Sequence, residues 1–531
     1  MPKLDLPYDL TRGPAWGRRA CHICWVALAA ALAVTCIQFQ LNLRSAIQAG
    51  ERADADYRAA LVAYEKDATD ENDAKAKAAA IWVREVPREG DADIVQWRRA
   101  VARFWAGRNI YRDMPDWGAA DPLTGLFPRG YETTTRPAPL VGNTPEQIVS
   151  NSLVYLHPNM PFVVILLTPL SHLSILWEAL AVNLLKCVCI VLTILAAAAI
   201  ANHERHKQSP WVIGLAVLMA LPLLLADIRQ GNTSTFTMAA VAGHLWLYRR
   251  RHDHLSGLLL ALAICLKLSP VLLLLYWVYQ RNWRLVGTTI ACLAIMVVGV
   301  PAWALGLERY QLYMGDWMGH IILPRAANDL LYPAYINQSL EGVFSRLFMG
   351  GNIYYNPEET ASAGRTGFIT LWLLPAWAAK WVFVALEVVF LALAAWAISW
   401  RKLPRDDGRR GLHYALLLAG MVILNHRTWD YHADMLVIAY AAILYALAYG
   451  KLGRPWRVAG AVMMVAVFVT GWCWGDILLL LTGGDRDLRA VIEAYGTLLL
   501  HFLLVFAAGA CLLRRLRSEE PYDVGRFGLG H

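Results

Sequence analysis

Charge is what this chain has least of. Only 17% of its 531 residues are Asp, Glu, Lys or Arg, against about 25% in soluble domains, while 57% are hydrophobic. That balance excludes an ordinary soluble globule. Apolar runs of about 20 residues recur along most of the chain, long enough to cross hydrocarbon as helices whose backbone groups are all paired internally. The formal charge of +8 would suit nucleic acid. However, the Lys and Arg stand in short clusters between apolar runs, as loop charges of membrane proteins do. Nucleic acid is therefore excluded as a partner, and the lipid bilayer takes its place. A disulfide framework is missing too. Most of the nine cysteines lie inside apolar runs and read as small core residues. Cys21 and Cys24 form a lone CxxC at the start of the first run, with no second pair to complete a zinc site. The first run, about 20–43, is too long for a signal-peptide core and lacks a small-residue cleavage site. No glycine-rich nucleotide-binding loop is visible.

What is present is a topology. Basic clusters at Arg18–Arg19, Arg205–Lys207, Arg249–Arg251, Arg281/Arg284, Arg401–Arg410, Lys451–Arg457 and Arg514–Arg517 mark the inner side. Threading the apolar runs between them gives roughly twelve crossings with both termini inside. The run 255–280 is basic at both ends and has Lys267 and Pro270 at its middle, so it reads as two short helices turning at or near the outer side. Met160–Leu170, with Pro161 and Pro169, is too short to span and reads as re-entrant or interfacial. Residues 49–88, rich in Ala, Glu, Asp and Lys, read as one or two helices outside the membrane, and 113–150 as an irregular loop. The expected organisation is a cytoplasmic N-terminus with the first spanning helix over 1–43 and a long outer loop with helices over 44–155. A transmembrane core with the broken pair follows over 156–305, then a second outer loop over 306–370. Further spanning helices over 371–513 lead to a cytoplasmic tail over 514–531. The fold class is all-α and polytopic.

The polar constellations gather at the predicted outer face, and ionisable groups at membrane depth default to function. Asp91-Ala-Asp93 opens an amphipathic helix through Trp97 to Gly107, followed by Tyr111. Asp93 reads either as a helix N-cap or as a general base near the membrane surface. Asp227-Ile-Arg-Gln230-Gly-Asn232 lies between two apolar runs and carries more polar groups than a turn needs. Lys267 at the helix break reads as a phosphate-binding ammonium or as a cation snorkelling to the interface. His426-Arg427-Thr-Trp429-Asp430-Tyr-His432-Ala-Asp434 is dense enough to bind an anion, shuttle protons or hold a metal, although its His spacing matches no zinc pattern. Tyr155-Leu-His157-Pro158 and Asn337-Gln338-Ser-Leu-Glu-Gly342, with Arg346 after it, read as ordinary loops or as parts of the site.

In order along the chain, these motifs resemble glycosyltransferase family 87, a family of C-type membrane glycosyltransferases that take sugars from polyprenyl phosphates. Asp93, Gly107 and Tyr111 are similar to the family's Asp-to-Gly-to-Tyr segment, and Tyr155 to Pro161 to its Tyr-x-Pro-Pro stretch, with His157 a departure. Gln230-Gly231-Asn232 is similar to its Gly-Gln-Asn turn. Lys267 and Pro270 are similar to its Lys-x-x-Pro element, Asn337 to Leu340 with Arg346 to its Asn-Gln-Ser-Leu segment, and Trp429 with His432 to its Trp-x-x-His pair. The stretch at 49–88 is an insertion relative to the family pattern.

The resemblance implies a C-type fold, a lipid-phosphate sugar donor, an inverting single displacement and no cofactor, with metal independence expected. Asp93 is expected as general base and His432 as a second catalytic group. Lys267, Arg427 and Arg346 are expected to bind the donor phosphate. Gln230, Asn232, Asp227, His157, Tyr111, Asn337, Gln338 and Trp429 are expected to bind sugar or acceptor. The family favours mannose as the sugar, a cell-envelope glycan or glycolipid as acceptor, and a bacterial inner membrane with the site facing the periplasm. The rivals are a lipid-linked polysaccharide ligase or polymerase, which would carry its long outer loop late in the chain, and a transporter, which needs sites near the midplane.

Overall fold

The apolar runs fold as helices because only a helix pairs every backbone group within one spanning segment. The computed structural model describes residues 8, 15–67, 69, 71–72, 75, 93–107, 110–111, 159–204, 206–323, 333–354, 367–399, 403–474, 476–516 and 521–522. Every regular element among them is helical. In chain order they include α1 (Ala15–Lys66), α2 (Asp93–Trp105), α3 (Pro161–Ser171), α4 (Ile175–Ala201), α5 (Pro210–Gln230), α6 (Ser234–Arg249), α7 (Asp253–Leu266) and α8 (Val271–Tyr279). Then come α9 (Trp283–Leu305), α10 (Leu307–Trp317), α11 (Leu340–Phe348), α12 (Ala376–Ile398), α13 (Arg409–Ile423), α14 (Leu436–Tyr449), α15 (Arg454–Trp472), α16 (Asp476–Leu481), α17 (Arg486–Ala494) and α18 (Thr497–Arg515).

Among the described residues, seven helical stretches are long and apolar enough to cross a membrane, and α3, α7 and α14 are shorter apolar helices. The protein is thus an all-helical, multi-pass membrane protein. The expected twelve crossings counted α13 and α14 as full spans. Both are shorter than the roughly 20 residues a lipid-facing span needs, and both are buried along their whole length. They form the centre of the main core, packed by α4, α5 and α18.

The break in the 255–280 run is real. α7 ends at Leu266, Lys267 is extended (φ −147°, ψ 137°), and Pro270, which has no N–H to donate, leads into α8. Of the outer helices expected over 49–88, residues 49–66 are helical and continue α1 without a break, and most of 68–88 lies outside the described residues. At 1.5 Å per residue α1 reaches about 78 Å, well beyond a hydrocarbon core of about 30 Å. The expected loop at 113–150 lies outside the described residues.

The helix ends sort into two sets. Arg249 donates to the carbonyls of Asn202 and Glu204, both at 2.8 Å. Arg405 forms a bidentate pair with Asp253, and Lys451 N donates to the Pro521 carbonyl at 2.8 Å. The Asp407 carboxyl, which burial alone would raise, is held below the usual carboxylate range by hydrogen bonds from His203 and Arg409. These residues gather the basic ends of α6, α7, α13 and α14. The opposite ends of the same four helices carry Ser234, Lys267, Asn425 and Asp434. A smaller core of Phe39, Leu43, Val163, Val182, Tyr313 and Trp317 receives the buried face of α2.

Candidate active site

α2 is amphipathic, with Ile94, Trp97, Val101 and Phe104 buried at helical spacing. Arg98, also buried, donates to Glu178 Oε2 at 2.6 Å and so ties α2 to α4. This packing fixes the first residue of α2, Asp93. Facing it, α5 stops at Gly231, whose positive φ of 72° closes the cap with an N–H bond to the Asp227 carbonyl at 2.9 Å. A Cβ there would make ordinary contact, 3.4–3.5 Å from Phe39 and Ile94, so it is the positive φ and not the space that favours glycine.

The turn presents Asn232, and a chain of hydrogen bonds runs from it in both directions. Asn232 Nδ2 donates to Asp93 Oδ2. Ser234 Oγ donates to Asn232 Oδ1 at 3.2 Å. Lys267 Nζ, from the α7–α8 break, donates to Ser234 Oγ. A carboxylate and an ammonium are thereby held at fixed separation through two neutral side chains.

The loop between α13 and α14 closes the other side. Lys267 Nζ stands 5.5 Å over the Tyr431 ring and the Arg427 guanidinium 4.8 Å over Trp429, so both cations rest on aromatic faces. Trp429 and His432 lie parallel at 6.4 Å. Burial, with Lys267 and Arg427 beside it, pushes His432 well below the usual imidazole range, so it is neutral. Asp93, Asn232, Lys267, Arg427, Trp429 and His432 line one cavity of about 570 Å³, a size suited to a small-molecule site. Part of the remaining wall is apolar, with Ile264, Leu266, Val271, Leu272 and Met421 among its residues. Leu268, Leu275 and Leu391 line it and are exposed, so the cavity is open beside α8 and α12. Among the described residues, no group of three or more His, Cys, Asp or Glu side chains is placed to hold a metal ion.

Several expected site residues do not reach the cavity. Arg346 is fully buried, and its Nε and Nη1 donate to the carbonyls of Pro333, Ala334, Asn337 and Ala494. It staples backbone and lies outside the cavity lining. Asn337 accepts from Thr428 N at 2.9 Å and donates to the His426 carbonyl. Gln338 bonds the carbonyls of Tyr335 and Glu493 and the N–H of Leu498. Asp227 forms a fully buried pair with Lys186 at 2.9 Å and accepts from Thr235. Tyr111 is buried and donates to the Asn159 carbonyl at 2.7 Å, supporting a cavity-lining residue from behind. Gln230 lies at the end of α5 outside the lining. His157 lies outside the described residues. Conversely, Gln96, Asn159, Trp317 and Asn425 line the cavity without having been assigned a role, and His426 lines it after being read only as part of the 426–434 cluster.

The family model for glycosyltransferase family 87 matches residues 155–363. That stretch contains the Gly231 turn, the Lys267 break and the Asn337–Arg346 segment. Over that stretch the chain carries a glycosyltransferase family 87 domain. No curated protein matches it. With that domain set among its apolar helices, the protein is a multi-pass membrane glycosyltransferase. The match leaves Asp93 and the Arg427–His432 loop outside its bounds, and the folded chain brings both to residues inside it.

Proposed function

We propose that the protein transfers a sugar, mannose by the family's preference, from a polyprenyl-phosphate donor to a hydroxyl of a cell-envelope glycan or glycolipid. The observation that carries this reading is the hydrogen-bonded row Asp93–Asn232–Ser234–Lys267 beside a partly apolar, exposed wall. One end of that row takes a proton, the other meets an anion, and the wall suits an isoprenoid chain.

The acceptor hydroxyl attacks the anomeric carbon of the sugar. As the new C–O bond forms, the bond to the phosphate oxygen breaks and its electron pair leaves with the phosphate. A single displacement of this kind inverts the anomeric centre. Asp93 takes the hydroxyl proton, and Lys267 and Arg427 stabilise the charge growing on the phosphate. His432, being neutral, serves as a hydrogen-bond partner rather than a third cation. Trp429 carries a buried indole N–H with no partner among the described residues, suited to a sugar oxygen. We read the transfer as metal-independent, because two side-chain cations already serve the leaving group. With the basic helix ends inside, the cavity faces the exterior, in a bacterium the periplasmic side of the inner membrane.

The test is transfer from a radiolabelled polyprenyl phosphomannose by purified protein, with and without chelator. Transfer that survives chelation is expected, and Asp93→Asn should lower it about a hundredfold or more with unchanged thermal stability. An inert lipid donor would sink the donor class. Near wild-type transfer by the Asn variant would remove Asp93 from the mechanism.

A further inference from the structure

One acid–base pair at the cavity has no part in this scheme. His426 lines the cavity, and its Nδ1 is hydrogen-bonded to Glu341 Oε2, a buried carboxylate at the start of α11. The two residues are 85 apart in sequence, and considerable structure is spent on joining them. The His426 carbonyl accepts from Asn337 Nδ2 and Ser339 Oγ, both at 3.2 Å. Gln338 N donates to the Thr428 carbonyl at 2.7 Å. Ser339 caps α11, accepting from Gly342 N at 3.0 Å. The segment 337–341 therefore clamps the 426–428 loop and sets Glu341 under the imidazole.

With Nδ1 committed to the carboxylate, Nε2 is the ring nitrogen left for the cavity. The charged and titratable groups sharing the cavity are Lys267, Arg427, His432, Tyr431, Cys265 and Asp93. Glu387 of α12 interacts with Glu341 from behind.

We propose that His426, oriented by Glu341, binds the phosphate of the lipid donor through Nε2, alongside Lys267 and Arg427. His426 is then a catalytic residue contacting the leaving group, and Glu341 is a positioning residue. No covalent bond forms to either. The assignment rests on the polyprenyl-phosphate reading, deepening it by one residue pair.

The probe is dodecyl phosphate, which carries a phosphate on an alkyl chain and no sugar. Its binding to purified protein is measured beside KM and kcat for the lipid phosphosugar. His426→Gln should weaken dodecyl phosphate binding and raise donor KM about tenfold or more, the scale of one lost charge-assisted hydrogen bond. His426→Lys should restore much of the binding. Glu341→Gln should shift the same constants in the same direction, and Glu341→Asp should recover part of the loss, with acceptor KM unmoved. Equal dodecyl phosphate binding by wild type and His426→Gln at matched thermal stability overturns the proposal, as does absence of binding by the wild type. His426-dependent binding of the probe without any transfer from the phosphosugar would leave this anion contact standing and sink the donor assignment instead.

Discussion

At the scale of single residues, the protein separates buried charges that hold the fold from charges that do chemistry. Lys186 and Asp227 neutralise each other out of reach of water, and removing one partner of such a pair costs about 3–5 kcal/mol. Asp434, in the loop before α14, is equally buried, yet burial and the neighbouring Asp227 push its carboxyl well above the usual carboxylate range. A carboxyl raised on folding supports the folded state while protonated. That support is fully present below the unfolded value of about 3.9 and fades as pH rises from there toward the folded value. Asn mimics the protonated form. Asp434→Asn should therefore match or exceed the wild-type melting temperature at neutral pH and flatten its fall with pH, whereas Asp227→Asn should lower it. A markedly reduced melting temperature for Asp434→Asn would show that the residue is held as an anion.

At the scale of elements, short segments do the positioning that long helices cannot. The Gly231 cap puts Asn232 against α2, the α7–α8 break frees Lys267, and α11 delivers Glu341. α11 depends on Gly342, where a Cβ would meet the Asn337 side chain at 2.6 Å and its backbone carbonyl at 2.8 Å. The carbonyl cannot swing away as a flexible side chain would, so Gly342→Ala must displace the helix start or the clamp on the 426–428 loop. A loss of about 1–3 kcal/mol is expected, read as a lower melting temperature together with reduced transfer. Wild-type values for both would show that α11 is free to adjust.

At the scale of the whole molecule, the helices carry basic groups to one end and the cavity to the other, and part of the cavity's wall is apolar and exposed. This arrangement yields a prediction about chain length. Leu391 lines the cavity and is exposed on its outer side. Leu391→Trp should raise KM for a long-chain polyprenyl donor more than for a short-chain analogue, measured side by side. An equal effect on both would place the lipid elsewhere.

Much of this was legible along the chain. Hydrophobic run length, loop charge and the Lys267–Pro270 interruption report local physics, namely the cost of bare backbone in hydrocarbon and of an uncompensated cation within it. They determined the polytopic helical class, the two faces and the broken hairpin. The ordered motifs pointed to the family. Sequence order did not determine which polar residues turn inward to the cavity. Arg346, Asn337, Gln338 and Asp227 look in sequence like Lys267 and Asn232, since a side chain that bonds a carbonyl and one that awaits a ligand are the same residue type. Only the tertiary structure decided between them, by spending the first group on distant backbone and counter-charges. It also brought together Glu341 and His426, and Asp93 and Asn232, because packing of remote helices, not proximity in the chain, sets those contacts.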